Sequence, residues 1–189
     1  MTGYFENVSV RRAKPADANA IASVHFLSWR YEYAGLLPES VIRSQSLPDI
    51  TVFWRDFVSE PNNWPVFVLE EDRHVVGFSS VIPARDDDVD ELKVSELAAI
   101  YLKESSRDKG LGASLLQSCL DESCARGCMS MVLWVLDGNR QALGFYRKHG
   151  FVVDGDSRCE EPFAVHETRM RVDITGNASL SDSMQTHDE

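Results

Sequence analysis

The glycine-containing segment Arg107–Gly112, with the sequence RDKGLG, restricts the fold of this chain more than any other feature of it. An apolar run typical of a strand, Leu97–Leu102, precedes the segment, and Leu111–Leu120, with leucines at helical spacing, follows it. Two glycines between a strand and a helix indicate a turn whose backbone a ligand can approach closely. The unpaired N–H groups of a helix N-terminus can bind an anion, but a plain strand-to-helix connection fits the segment at least as well.

The segment matches neither of two common phosphate-binding motifs. The P-loop pattern GxxxxGK[ST] is absent, and the dinucleotide fingerprint GxGxxG does not match. A nucleotide hydrolase is poorly supported, because the turn lacks the Lys-[ST] pair and has no obvious magnesium ligands. Arg107 and Lys109 add mobile positive charge, yet the turn alone does not identify the ligand.

Hydrophobic periodicity predicts one continuous series of strands and helices. The predicted strands are 8–12, 65–70, 75–82, 93–102, 129–136, 151–156 and 164–172. The predicted helical segments are 14–35, 48–61, 110–127 and 140–150. In the first segment, Gly35 follows the last helical residue. The order β-α-α-β-β-β-α-β-α-β-β predicts an α/β (α+β) fold, with a mixed central sheet of about six to seven strands flanked by helices.

Composition narrows the class of protein and its partners. The chain has 189 residues, enough for one domain with a full core, and its formal net charge is −11. A negative charge of this size argues against nucleic acid as the main partner, because phosphate binding requires a basic face. The charge is compatible with a cationic substrate, and also with an acidic surface that only keeps the protein in solution.

The ends of the chain and its hydropathy indicate a cytoplasmic protein. No apolar run reaches transmembrane length, and residues 1–20 lack the apolar core of a signal peptide, so we expect no membrane association. Residues 1–174 are expected to form a single domain. The small, polar segment 175–189 is expected to be a flexible tail.

The four cysteines do not suggest a metal site. Cys119, Cys124, Cys128 and Cys159 form no paired CxxC units, and most lie in or just after one predicted helix. Cysteines at such positions are usually small buried hydrophobic residues. We therefore expect neither bound zinc nor structural disulfides.

Two longer segments resemble the signatures of a known family. The first, AAIYLKESSRDKGLGASLL, combines a strand, the pattern R-x-x-G-x-G and a helix. The second, LWVLDGNRQALGFYRKHGF, combines a strand, Asn139 and a helix that carries Tyr146 before a Gly-Phe pair. Together they resemble the GCN5-related N-acetyltransferase (GNAT) superfamily, whose fold agrees with the predicted order of elements. Glu104 departs from the pattern, since many members have proline after this strand.

This resemblance implies acetyl-CoA as the co-substrate and no metal. In the family, the glycine turn binds the pyrophosphate, and the pantetheine arm runs beside the preceding strand, where a main-chain N–H polarises the thioester carbonyl. The implied coenzyme contacts are Ile100, Tyr101, Leu102, Arg107, Asp108, Lys109, Gly110, Leu111, Gly112, Ala113, Ser114, Asn139 and Tyr146. Asn139 also opens a predicted helix, so a role as its N-cap fits equally well, and the two roles can coexist.

The resemblance also implies the catalytic groups. Tyr146 is the expected general acid that protonates the departing CoA thiolate, with a packed aromatic residue as the alternative. Glu96 lies at the offset of the family's general base in its histone-acetylating members, where it often acts through water. Strand alternation puts Glu96 on one face with Ala98, Ile100 and Leu102, and apolar neighbours on that face would raise its pKa. A plain carboxylate at a strand edge is the alternative.

The acceptor site of the family is built from the first two helices and the loop between them. His25, Trp29 and Tyr33, each one turn apart, are the expected wall of the acceptor pocket, although ordinary amphipathic packing also explains each of them. The acidic segment 85–91 is expected to be a solvated loop, and attraction of a cationic amine is a second option. Homodimers are frequent in the family, and the chain itself does not predict an oligomeric state.

Two functions from different classes remain open at this point. The first is an enzyme that moves the acetyl group of acetyl-CoA to an amine by direct attack, without a covalent intermediate on the protein. The second is an acyl-CoA-binding sensor or interaction module that has lost catalysis. The presence of both Glu96 and Tyr146 favours the enzyme.

Overall fold

A computed structural model of the chain describes residues 8–60, 63–160 and 165–174. The predicted tail 175–189 lies outside these residues. The strands are β1 Val8–Arg12, β2 Val66–Glu71, β3 His74–Pro83, β4 Val94–Leu102, β5 Ser130–Leu136, β6 Val152–Glu160 and β7 Val165–Asp173. The helices are α1 Ala18–Glu32, α2 Glu39–Ser44, α3 Leu47–Ser59, α4 Leu111–Ala125 and α5 Arg140–Lys148.

The predicted elements all occur, with two differences. Helix α2 was not predicted, because its six residues are too few to show a helical period. Strand β6 extends to Glu160, beyond the predicted end at 156, because its pairing with β7 resumes at Ser157 after an irregularity that follows Val153. The sequence DGD, at the end of the predicted strand, therefore lies in the middle of the observed one.

The sheet has the order β1-β2-β3-β4-β5-β7-β6, and among these seven described strands only β4 and β5 are parallel neighbours. Their pairing covers three residues, from Val94↔Ser130 to Glu96↔Val132. Beyond Glu96 the two strands separate, so the edge of β4 that faces β5 pairs with none of the described strands over Leu97–Leu102. This separation opens a cleft in the middle of the sheet.

Helices cover both faces of the sheet. Helices α1 and α3 pack on one face around Ile21, Trp54 and Phe78. Helices α4 and α5 pack on the other face around Leu115, Leu133 and other buried residues. Each face thus has an apolar core, which fixes the two strands on either side of the cleft. No helix among the described residues is long and apolar enough to cross a membrane.

A β-bulge in β4 overturns the alternation predicted for Glu96. Ser80 of β3 pairs with Ala99, but the next residue, Val81, pairs with Leu97, so Ala98 is an extra residue. The extra residue reverses the face of everything before it. Glu96 therefore shares its face with Ala99 and Tyr101, on the side of α1 and α3, and not with Ile100 and Leu102.

The acidic loop between β3 and β4 is attached to the sheet. Arg169 of β7 is buried and forms ion pairs with Asp86 and Asp88 of this loop and with Asp154 of β6, at 3.2, 2.6 and 2.8 Å. The expectation of a merely solvated loop is therefore wrong for Asp86 and Asp88. A buried guanidinium attracts several carboxylates because each contact offsets part of its desolvation.

A substitution at Gly77 of β3 tests how tightly β3 packs against β4 beside the cleft. A Cβ atom at this position would overlap Cδ2 of Leu102 and lie 3.0 Å from the Tyr101 carbonyl oxygen. We expect Gly77→Ala to lower the free energy of unfolding in urea by about 1–3 kcal/mol. Gly144→Ala in α5 is the matched control, because nothing lies within 4 Å of its Cβ, and it should stabilise the helix by up to about 1 kcal/mol. Equal stabilities for the two variants would contradict tight packing at this edge.

Candidate functional site

The cleft between β4 and β5 continues into a cavity of about 440 Å³. Its walls come from the end of α1, the free edge of β4, the glycine turn, the end of β5 and one face of α5. Twelve of the predicted site residues line it: Tyr33, Ile100, Tyr101, Leu102, Arg107, Asp108, Gly110, Leu111, Gly112, Ala113, Asn139 and Tyr146. The remaining five, His25, Trp29, Glu96, Lys109 and Ser114, are not among the lining residues.

The glycine turn presents free backbone amides to this cavity. Gly110 precedes the first turn of α4 with φ 78°, a left-handed conformation in which glycine carries no steric penalty. The amide of Ala113 donates to the Gly110 carbonyl at 3.1 Å. The amides of residues 109–112 donate no hydrogen bond to any described residue. A helix N-terminus with such amides attracts an anion.

Gly112 has a packing role beside its place in the turn. A Cβ atom there would lie 3.3 Å from Cε2 of Phe145 and 3.5 Å from Cδ1 of Leu102. The glycine therefore lets the Phe145 ring of α5 approach the start of α4. This contact closes the cavity between the two helices, a reason for the second glycine that the motif alone does not reveal.

Arg107 is not the mobile surface charge that the sequence suggested. Its side chain is 10% exposed, and Nε donates to the Leu102 carbonyl oxygen at 3.1 Å. Nη2 lies 3.0 Å from Oε1 of Glu32, and the guanidinium lies over the ring of Tyr31. Arg107 thus ties the end of α1 to the end of β4, and only Nη1 is buried without a hydrogen-bond partner in the described part of the chain.

Lys109 and Ser114, two other polar residues predicted to contact the coenzyme at this turn, lie outside the cavity lining. Nζ of Lys109 lies 3.1 Å from Oε1 of Glu71 in β2. Ser114 lines a separate surface groove with residues 8–10 of β1. Their predicted contacts with the coenzyme stay predictions.

Tyr146 lies in α5 and is only 9% exposed. Its ring packs against Phe145 and Phe151, and its hydroxyl forms no hydrogen bond with the described residues. Burial raises the pKa of this phenol, and the nearby Tyr33 and Glu32 raise it further. A protonated phenol facing the cavity can donate a proton there.

Asn139 has the structural role that its position predicted. Its side-chain oxygen accepts a hydrogen bond from the amide of Ala142 at 3.0 Å, which makes it the N-cap of α5. Asn139 also lines the cavity, so both predicted roles are compatible with its position.

Glu96 is held by a partner that the sequence did not indicate. Arg85, from the loop after β3, donates from Nε to Oε2 of Glu96 at 3.0 Å and from Nη2 to Oε1. The Glu96 side chain is 3% exposed, whereas that of Arg85 is 64% exposed. The predicted apolar surroundings of Glu96 are therefore wrong, because an ion pair occupies both carboxylate oxygens.

The predicted acceptor wall divides into two parts. Tyr33 lines the cavity, and its hydroxyl lies 3.3 Å from that of Tyr101. His25 stacks on Tyr101 and accepts a hydrogen bond at Nδ1 from Trp54, and burial lowers its pKa to about 4. A half-buried imidazole with these contacts supports the packing interpretation of His25. Trp29 packs on Tyr33, and its Nε1 is buried without a hydrogen-bond partner in the described residues.

Several cavity residues were missed by the sequence reasoning. They are Glu32, Leu97–Ala99, Trp134–Leu136, Gln141, Ala142, Phe145, Lys148 and His149. The signal was available for Ala142 and His149, because they lie four residues before and three residues after Tyr146 and so share its helical face. Glu32 gave no such signal, because only the fold brings the end of α1 to the glycine turn. No group of three or more His, Cys, Asp or Glu that could hold a metal occurs within 8–60, 63–160 and 165–174.

Comparison with known proteins agrees with this geometry. The profile of the Acetyltransferase (GNAT) family matches residues 23–151. The chain is 32% identical over 143 residues to the uncharacterized N-acetyltransferase YuaI of Bacillus subtilis, covering 75% of this chain and 79% of that protein. It is 26% identical over 159 residues to a probable N-acetyltransferase of Mycobacterium tuberculosis, covering 84% and 87%.

A solved structure has the same fold. The PaiA N-acetyltransferase of Thermoplasma acidophilum, in complex with coenzyme A, superposes with a TM-score of 0.72 at 21% identity, covering 88% of this chain and 99% of that one. The family match, the relatives and the mixed seven-stranded sheet lead to one conclusion. The chain belongs to the GNAT family and is an N-acetyltransferase.

Proposed function

We propose that this protein transfers the acetyl group of acetyl-CoA to the nitrogen of an amine by direct attack. The observation that carries the proposal is the edge of β4 over Leu97–Leu102, which pairs with no described strand and borders a cavity that Tyr146 also lines. An extended pantetheine arm can pair with that edge as an added strand does. The thioester would then lie beside a group able to protonate sulfur.

The remainder of the donor has a matching site in the glycine turn. The free amides of residues 109–112 and the positive end of the α4 dipole suit a pyrophosphate. Lys148 of α5 also lines the cavity and adds a cation. The coenzyme A held by the structural neighbour supports the same assignment.

The chemistry at the thioester needs one base and one acid. The acceptor ammonium loses a proton to the base, and the neutral nitrogen forms a bond with the carbonyl carbon. The carbon–sulfur bond then breaks, and the CoA sulfur takes the phenol proton of Tyr146. The surplus proton on the new amide nitrogen returns to the phenolate, so the products are the N-acetyl amine and the CoA thiol.

For the base we retain Glu96, acting through water. The bulge at Ala98 puts it on the same sheet face as Tyr101, which meets Tyr33 of α1. Arg85 covers its carboxylate, but the Arg85 side chain is largely exposed, so the guanidinium can leave without opening the core. The proposal therefore includes the release of this ion pair when the acceptor binds.

Replacement of Tyr146 by phenylalanine tests the acid. We expect Tyr146→Phe to lower kcat about 100-fold or more, because the thiolate then leaves unprotonated. The Kd for acetyl-CoA from calorimetry should stay within about threefold of the wild-type value, since the ring remains. Tyr31→Phe, at an exposed tyrosine of α1, is the matched control and should leave kcat unchanged. Unchanged turnover in Tyr146→Phe would show that another group protonates sulfur.

The same assay decides between the enzyme and the binding module. Thiol release from acetyl-CoA is followed with a panel of amines: an alkyl monoamine, an alkyl diamine, L-methionine sulfone, a peptide with a free N-terminus and a lysine peptide. Methionine sulfone is included because one curated group of relatives acetylates it, although the likeness covers only 30% of this chain. Tight acetyl-CoA binding without acceptor-dependent release across the panel would favour the module.

Replacement of Glu96 by glutamine tests the base. We expect Glu96→Gln to lower kcat about 100-fold, because the amide cannot take the acceptor proton. The KM for the acceptor should change little. Glu91→Gln, at an exposed position of the same acidic loop that carries Arg85, is the control for loss of one negative charge. A kcat within about twofold of wild type would exclude Glu96 as the base.

A further inference from the structure

Glu32, the last residue of α1, brings a carboxylate to the cavity that the proposed mechanism does not use. Its side chain is 22% exposed, and Oε1 lies 3.0 Å from Nη2 of Arg107. Among the described residues that line the cavity, only Glu32 and Asp108 are acidic, and Asp108 belongs to the glycine turn. Glu32 is thus the acidic lining residue that lies outside the expected pyrophosphate site.

The negative charge of Glu32 affects the pKa of three tyrosines that line the cavity. Burial raises the pKa of the Glu32 carboxyl, and Arg107 opposes this shift. After the larger effect of burial, Glu32 also raises the pKa of Tyr33, Tyr101 and Tyr146. The carboxylate therefore lies within electrostatic range of the Tyr146 hydroxyl, where the proposed function has the leaving sulfur.

The hydrogen-bonding capacity of Glu32 is not used within the described chain. Its contact with Arg107 is an ion pair without hydrogen-bond alignment, and neither carboxylate oxygen accepts a hydrogen bond from a described residue. Nη1 of Arg107 is buried and unpartnered in the same part of the chain. Nη1 needs an acceptor, which an ammonium cannot supply, so it suits the phosphate or carbonyl groups of the coenzyme. Glu32, with a side chain that is 22% exposed, is the group of this pair that can accept a hydrogen bond from a cationic ligand.

Glu96 differs in this respect. Arg85 donates two hydrogen bonds to it, and Glu96 does not line the cavity. An ammonium that enters the cavity can reach Oε2 of Glu32 while Arg107 keeps its ion pair with Oε1, but it can reach Glu96 only after Arg85 leaves. The two carboxylates are therefore suited to different tasks.

We propose that Glu32 binds the acceptor by accepting a hydrogen bond from its nitrogen, which belongs to an alkyl amine that is an ammonium at neutral pH. This inference rests on the proposed function, because the acceptor enters only in acetyl transfer. A charge-assisted hydrogen bond to the carboxylate orients the nitrogen, and its proton then passes to the base. Glu32 positions the nitrogen and is itself unchanged by the reaction.

The test compares Glu32→Gln with wild type, using the best acceptor of the amine panel. Glu39→Gln is the matched control, because Glu39 of α2 is exposed and has its own ion pair with Arg43 outside the cavity. The KM for the acceptor and kcat come from thiol release. Calorimetry without acceptor gives the Kd for acetyl-CoA. Glu32→Asp keeps the charge on a shorter side chain and replaces Glu32→Gln in the test if the latter does not fold.

We expect Glu32→Gln to raise the acceptor KM about tenfold or more, while kcat and the acetyl-CoA Kd stay within about threefold of wild type. Glu32→Asp should recover part of the acceptor affinity, and Glu39→Gln should match wild type. An unchanged acceptor KM would overturn the inference. A loss confined to acetyl-CoA affinity would also overturn it, since Glu32 would then only support Arg107. A wild-type protein without acceptor-dependent release would refute the proposed function itself, and the inference with it.

Discussion

The separation of β4 from β5 after three paired residues is the constraint on which the rest of the site depends. It leaves one edge of β4 without a partner among the strands that the structure describes, although β3 pairs with β4 on its other side. Unpaired main-chain groups in the middle of a sheet require a partner, because buried N–H and C=O groups are costly when unsatisfied. The helices that pack on both faces of the sheet hold β4 and β5 in place. This packing keeps the two strands apart, so the cleft between them stays open.

Polar contacts join the elements around this cleft. Arg107 connects the end of α1, through Glu32, to the end of β4, through the Leu102 carbonyl. Arg85 connects the loop after β3 to Glu96, and Arg169 connects the same loop to β6. Arg107 and Arg169 pair with carboxylates from distant parts of the sequence, whereas Arg85 and Glu96 are eleven residues apart. At the cavity itself, the pair of Arg107 and Glu32 is the one that only the fold brings together.

The local parts of this arrangement could be predicted from the sequence. The order of strands and helices, the glycine turn and the N-cap Asn139 all follow from short patterns, and the structure contains them. The bulge at Ala98 could not be predicted, because one extra residue leaves no mark on an apolar run. The partners of Glu96 and Glu32 could not be predicted either, since Arg85 and Arg107 reach them only through the fold. Local patterns therefore predicted the coenzyme residues that line the cavity better than the acceptor residues, of which only Tyr33 lines it.

Amide hydrogen exchange with and without acetyl-CoA tests the central claim most directly, because it reports on the backbone of the cleft itself. If the coenzyme pairs with the free edge of β4 and with the glycine turn, saturating acetyl-CoA will slow exchange over residues 97–102 and 109–112. Strands β6 and β7, away from the cleft, will exchange at the same rates as before. Binding that saturates in calorimetry without slower exchange in either segment would contradict the account.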